Sequence, residues 1–437
     1  METRPTAAAP GCRPALRPAE AARRSGLALG KKTSVKRTVD GDASRCGGAA
    51  ARGVGVLGAS LAWLGLQACA PAGPPQPDAS FATAEATRVA VHAAPAPSDE
   101  ERYCAWYGNA GADGVLYFGQ AAFWSAKAAA GGDPRGDLDH PGPQLVGRFD
   151  LESERLLPSL RVDAPDADPP ARSGVWDVLA SDDGRVAFTT FYEGAGWVDI
   201  ETGAVTRIEA SEGLNELAPG PDGQVLATRY GSGDDEGGDG ALALLGLDGT
   251  IAHVMPLPER PGYVLAPKTP AFDAARERIW LTADWLPRDA GLRVSFEAIR
   301  IDLILRPARN VEPAPPELQF VAAGPDGTLY RALVYDARLV LGVTPPQAAA
   351  FERLVPLDDA FAAGLDFVQD VQPAADGRVA VTRWSGRVDV VHPDGRVGRI
   401  RLPRPDPDGL YYTAVLHGGR LCATYCADVA VVCADAP

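Results

Sequence analysis

The chain has 437 residues, 48 of them Gly and 39 Pro, and a net charge of −15. Residues 1–52 hold 11 Lys/Arg against 4 Asp/Glu, so the remainder carries −22. A body that acidic repels nucleic acid and anionic lipid headgroups, which are bound by neutralising phosphate with Lys and Arg, so a nucleic-acid function is set aside.

Residues 1–51 are rich in Ala, Arg, Gly and Pro and show no hydrophobic period, which predicts a disordered extension or a translation start later than Met1. From Val54 to Leu66 the chain is apolar, VGVLGASLAWLGL, behind Arg52. About 13 apolar or small residues are too few to span a bilayer but fit the core of a signal peptide. The segment ends Leu66-Gln67-Ala68-Cys69, which resembles the lipobox of bacterial lipoproteins. The resemblance implies a signal peptide over 52–68 and an acylated Cys69 as the first mature residue. Ala70 rather than Asp after that Cys implies the outer membrane, facing the periplasm or the surface. The stretch 69–85 is expected to be a flexible Ala/Pro-rich tether; with the Ala/Pro-rich 93–98, about 30 residues of tether would reach about 30 Å.

Phe367 to Pro403 reads as four short strands with turns at Asp376-Gly377, Ser385-Gly386 and Asp394-Gly395. The same unit recurs. Its first turn falls at Gly114, Gly184, Gly223, Glu277, Gly327, Gly377 and Gly419, a mean spacing of about 51 residues, in the range of propeller repeats. Five residues after the turn stands Thr189, Thr228, Thr282, Thr382 or Thr424. The expected fold is all-β: a single, monomeric β-propeller over 86–437, most simply of seven four-stranded blades, with six as the alternative. The last unit shows only three strands, which would leave a bare edge. Ala86–His92 is a strand candidate without a partner and is expected to close that last blade.

Apart from Cys12, Cys46 and Cys69, four cysteines remain, and four allow three pairings. A hairpin turn at Ala427-Asp428 sets Cys422 opposite Cys433 and leaves Cys426 to reach Cys104 in the first blade. A metal site of four thiolates is disfavoured, because CxxC spacing is missing and an exported domain is oxidising.

Eight residues before the anchors, where innermost strands begin, stand Trp106, Trp176, Asn215, Gln319, Gln369 and Tyr411, followed by Asp177, Glu216 and Asp370 in three units. Arg383 and Trp384 are expected to border the same mouth. Since a strand alternates its faces, only one of the two sets should face the axis. The aromatic and amide set describes a binding surface for a protein or glycan without a cofactor. The carboxylate set describes a divalent cation site. The segment Asn215 to Gly223, NELAPGPDG, resembles the NHL and senescence-marker (gluconolactonase)-type propellers, in which an Asn about eight residues before a Pro-Asp-Gly turn binds the metal. That resemblance implies Ca or Zn on Asn215, with Glu216 and Asp370, and a lactonase- or esterase-like hydrolase. No G-x-S-x-G elbow, Walker loop or H-E-x-x-H is present, and no catalytic residue is assigned. A binding or scaffold role is preferred, because catalysis asks for a base held by an orienting partner and the sequence offers none.

Overall fold

The computed structural model describes residues 82–84, 89–93, 102–123, 143–164, 174–190, 193–230, 240–258, 263–287, 295–304, 306–313, 318–335, 338–348, 352–358, 368–404, 409–426 and 430–437. The signal segment, the Cys69 motif, most of the expected tether and the Ala427-Asp428 turn lie outside them. None of the described helices is long and apolar enough to cross a membrane.

The molecule is a β-propeller. Its strands form antiparallel four-stranded units in chain order, such as Val368–Pro373, Val379–Arg383, Arg387–Val391 and Val397–Arg401. Each unit begins on an inner strand. Inner strands touch in succession, and that of the C-terminal unit, Leu410–His417, returns to that of the first, Arg102–Ala110, so the ring closes on itself. Apolar clusters fill the seams. Phe118 and Phe149 of the Gly114 unit pack on Val415 and Val431 of the C-terminal unit, and Leu339 and Leu341 of the Gly327 unit pack on Val371 and Val381 of the next. Each such side chain removed from water contributes about 1.5–3 kcal/mol.

Two strands preceding the first unit are borrowed by the last ones. Val89–Ala93 pairs antiparallel with Ala430–Asp435, Ala90 opposite Cys433, and so supplies the fourth strand of the C-terminal unit as expected. Residues 82–84, assigned to the tether on sequence, instead run parallel to the outer strand of the Gly377 unit, Thr83 opposite Arg399. One eight-stranded sheet joins the C-terminal and Gly114 units through a bridge between Cys426 and Cys104.

The anchors behave as turns. Glu277, the position that lacks a Gly, has φ of +48° like its glycine counterparts, which fixes the register of the least regular unit. In the C-terminal unit the positive φ falls on Gly418, one residue before the expected Gly419, because His417 and Arg420 are joined by a two-residue hairpin.

The inner strands share a second irregularity. The ladder to the next strand slips between Ala105 and Gly108, Val175 and Asp177, Leu214 and Leu217, and likewise in the inner strands beginning at Leu318, Val368 and Leu410. A bulge leaves a residue unpaired and re-aims its side chain. In two units the repeated threonine braces it: Thr228 Oγ1 accepts the Glu216 amide at 3.3 Å, and Thr424 Oγ1 accepts the Thr413 amide at 3.0 Å. In the Glu277 unit the inner strand is broken outright, into Tyr263–Pro267 and Ala271–Asp273.

Candidate ligand site at the inner-strand bulges

In five units the residue that the eight-residue count selects lies at the bulge, and the bulge changes what it does. Strict alternation would put Trp106 and Tyr107 on opposite faces, yet both rings meet the same neighbours. Trp106 lies 4.4 Å from Trp176 and 4.7 Å from Tyr412 between centroids, and Tyr107 lies 5.9 Å from Trp176 and 5.1 Å from Tyr412. Trp106 and Tyr412 are buried, packed on Cys104 and Cys426, whereas Tyr107 and Trp176 are partly exposed. At a bulge, consecutive side chains need not alternate, so alternation does not by itself separate the two expected residue sets.

Polar groups from distant units converge on this wall. The Tyr107 hydroxyl donates to Gln369 Oε1 at 3.0 Å, a contact between the Gly114 and Gly377 units. Glu216 accepts from Thr269 Oγ1 at 2.5 Å and more loosely from the Tyr230 hydroxyl at 3.5 Å. Asp370 accepts the Val371 amide at 2.8 Å and Gln372 Nε2 at 2.9 Å. Asp177 accepts the amides of Val178 at 2.8 Å and, across the seam, Leu217 at 2.7 Å.

Burial dominates the electrostatics. It pushes Glu216 up to about 7, against the Thr269 hydrogen bond and the charge of Lys268, with Asp370 adding to the rise. It pushes Asp370 up to about 6 against its hydrogen bonds. Asp177 is held well above the ordinary carboxylate range by burial and by Glu216 and Asp370. The Tyr107 hydroxyl is likewise raised by burial and then by Glu216, Tyr412, Tyr230 and Asp370, so these groups feel one another across the ring. Titratable groups displaced towards neutrality in one place mark a functional candidate.

No family model matches the chain, and no curated protein matches it. Solved structures similar to it include a catalytically inactive virginiamycin B lyase from Staphylococcus aureus with quinupristin, at 11% identity and a TM-score of 0.49 over 79% of this chain and 99% of that one. The β-propeller domain of Cps50 (Swd1) from Myceliophteria thermophila is similar at 13% identity and a TM-score of 0.48, over 76% of this chain and 98% of that one. Resemblance at this level carries no information on ligand or reaction.

The remaining expected residues divide. Asn215 is 2% exposed; its Nδ2 donates to the Gly213 carbonyl at 3.0 Å, and its Oδ1 has no hydrogen-bond partner among the described residues. Gln319 occupies the equivalent bulge of the Gly327 unit and is half-buried. Arg383 is 2% exposed and held by Asp358 at 2.7 Å and Asp389 at 3.2 Å, in an ion-pair network that Arg387 and Arg399 complete, so its guanidinium is committed to carboxylates. Trp384 is 38% exposed. Tyr411 is buried against Tyr425 and donates to the Pro403 carbonyl. Its place in the site is taken by Tyr412.

As a metal centre, the set Asn215, Glu216 and Asp370 has mixed credentials. The free Asn215 oxygen suits a cation. Against it, both carboxylates already accept hydrogen bonds, and neither belongs to a group of three His, Cys, Asp or Glu ligand atoms lying within 4.8 Å of one another among the described residues. The group that does, His92, Glu154 and Cys433, includes a disulfide sulfur.

Proposed function

We propose that the chain is a lipid-anchored, extracytoplasmic propeller of seven blades that serves as a binding or scaffold protein, taking a protein or glycan partner at the ring of inner-strand bulges. The observation that carries this reading is the convergence of Tyr107, Gln369, Glu216 and Asp370, from three separate units, beside the partly exposed ring of Trp176. Aromatic side chains give rigid contact area, and amides and carboxyls give directional bonds. A count of seven blades is supported by dividing the eight-stranded sheet at the Cys426–Cys104 bridge. Arrayed glycans and fractionated envelope proteins should contain a binder whose retention is lost in Tyr107→Ala and Trp176→Ala; retention unchanged in both variants would place the binding surface elsewhere.

The rival reading, a Ca- or Zn-dependent lactonase- or esterase-like hydrolase through Asn215, Glu216 and Asp370, is favoured by the unpartnered Asn215 oxygen alone. Stoichiometric divalent metal in purified protein, with lactone or ester hydrolysis lost in Asn215→Ala, would establish it in place of the binding role.

The anchor is tested separately. Cys69→Ser should move the protein from the membrane to the soluble envelope fraction and abolish palmitate labelling; a variant that remains membrane-bound excludes the lipobox reading.

A further inference from the structure

We infer that the ring of bulges takes a compact organic cation carrying N–H donors, a protonated primary amine or a guanidinium group, between the Tyr107 and Trp176 rings and the acceptors Asn215, Glu216 and Asp370. The inference deepens the binding role proposed above and rests on it.

It starts from the Asn215 amide. Its nitrogen faces the Gly213 carbonyl at 3.0 Å, and a carbonyl cannot face a carbonyl, so the amide cannot be turned over. The atom left over is therefore an acceptor, buried, and without a donor among the described residues. Asn215 fills in its unit the bulge that Trp106, Trp176 and Tyr412 fill in theirs, and those three rings meet one another. Two residues on, the Leu217 amide donates to Asp177, the residue after Trp176, at 2.7 Å, which sets the Asn215 bulge beside that of Trp176. The unsatisfied oxygen of Asn215 asks for a donor from outside.

Charge narrows the donor to a cation. Asp177, Glu216 and Asp370 act on one another across the ring, and the further groups facing them are the hydroxyls of Tyr107, Tyr230, Thr269 and Thr413 together with Lys268. Among the described residues Lys268 is the ammonium set against these three carboxyls, and a carboxyl accepts a hydrogen bond whether or not it is ionised. An anion gains nothing there, and a neutral polyol forgoes the attraction of whichever carboxyls are ionised. The aromatic faces add attraction of their own sign, since the face of an indole or phenol ring is negative and holds cations within about 6 Å. Tyr107 and Trp176 are the members of the aromatic wall with exposed surface.

The protein is titrated at pH 8 with n-butylammonium, with Nα-acetyl-lysine N-methylamide, and with n-butanol and a panel of neutral oligosaccharides, following tryptophan fluorescence and heat. Both amines should saturate, and butanol should not. Glu216→Gln and Asn215→Ala should each weaken amine binding by roughly tenfold to a hundredfold, the worth of a hydrogen bond to a charged group. Lys268→Met should strengthen it by removing the competing charge, a change in affinity opposite in sign to that of a damaged fold. Tighter binding of the capped lysine assigns the cation to a protein side chain, and tighter binding of butylammonium assigns it to a free amine. Butylammonium and butanol binding alike, or no saturation by either amine, overturns the inference. If oligosaccharides saturate while the amines do not, the cation is wrong and the binding role stands.

Discussion

Replacing Cys104 and Cys426 together by Ala should lower the stability of the propeller by about 5 kcal/mol, on the loop-entropy account of disulfides. The pair is separated by 322 residues, so the bond closes nearly the whole propeller into one loop. By the same account Cys422–Cys433, separated by 11 residues within one hairpin, contributes about 3 kcal/mol, and less where the hairpin already holds its strands in register. A domain with a total stability of about 5–15 kcal/mol is close to unfolding without the longer bond. The loss also reaches the site, because Cys104 and Cys426 pack directly on Trp106 and Tyr412. Guanidinium unfolding of oxidised wild type against the double variant measures the effect, with tryptophan fluorescence as a second signal. An unchanged midpoint, or Cys104 alkylated as a free thiol in unfolded, unreduced protein, would sink the assignment.

Stability should fall as the pH rises from about 4 towards 7, the reverse of the usual acid denaturation. The cause is the pair of buried acids. Glu216 stands at about 7 in the fold against an ordinary 4.5, and Asp370 at about 6 against 3.8. Each keeps its proton in the fold over a range where the unfolded chain has released it. Their contribution is therefore complete below the unfolded values and is withdrawn as the pH climbs through the folded ones. At about 1.4 kcal/mol per pH unit, each acid withdraws about 3 kcal/mol by pH 8. Glu216→Gln keeps the shape and removes the charge, so it should be more stable than wild type at pH 8, equal to it near pH 4, and flatter between. Comparing the two chains cancels the surface carboxylates that slope the other way, such as Asp163 and Asp183, which sit below their ordinary range. Parallel curves for the two proteins would show that Glu216 is not a strained acid.

Much of the architecture can be read from local chemistry. A turn that needs positive φ advertises itself as Gly, and in the Gly223 and C-terminal units the hydroxyl that braces the bulge advertises itself as a buried Thr one strand away. Ala86–His92 is legible as a strand because it has no partner nearby, and its partner Ala430–Asp435 because it ends a unit one strand short. The site is legible only to the nearest residue. Counting eight back from Glu277 lands on Thr269, the hydroxyl that holds Glu216, but an anchor without Gly gives little reason to trust the count. The two-residue hairpin at Gly418-Gly419 shortens the last unit and shifts the count from Tyr412 to Tyr411. Tyr107 is lost to the alternation rule, which the bulge suspends. Arg383 is tied to Asp358 and Asp389 in a buried ion network, and nothing in the spacing of the three residues announces it.

The closing strand also sets the order in which the molecule is finished. Val89–Ala93 leaves the ribosome more than 300 residues before Ala430–Asp435, the segment that receives it. At a synthesis rate of about 5–20 residues per second it waits for tens of seconds with its edge bare. Val89 and Val91 expose apolar surface even in the finished protein, so the waiting strand is a hazard for misassociation. Units in the middle of the chain gain their neighbours as synthesis proceeds, but the C-terminal unit stays one strand short until Ala430–Asp435 is available to receive Val89–Ala93. A chain lacking Ala430–Asp435 would leave the early strand without its partner and the last blade open.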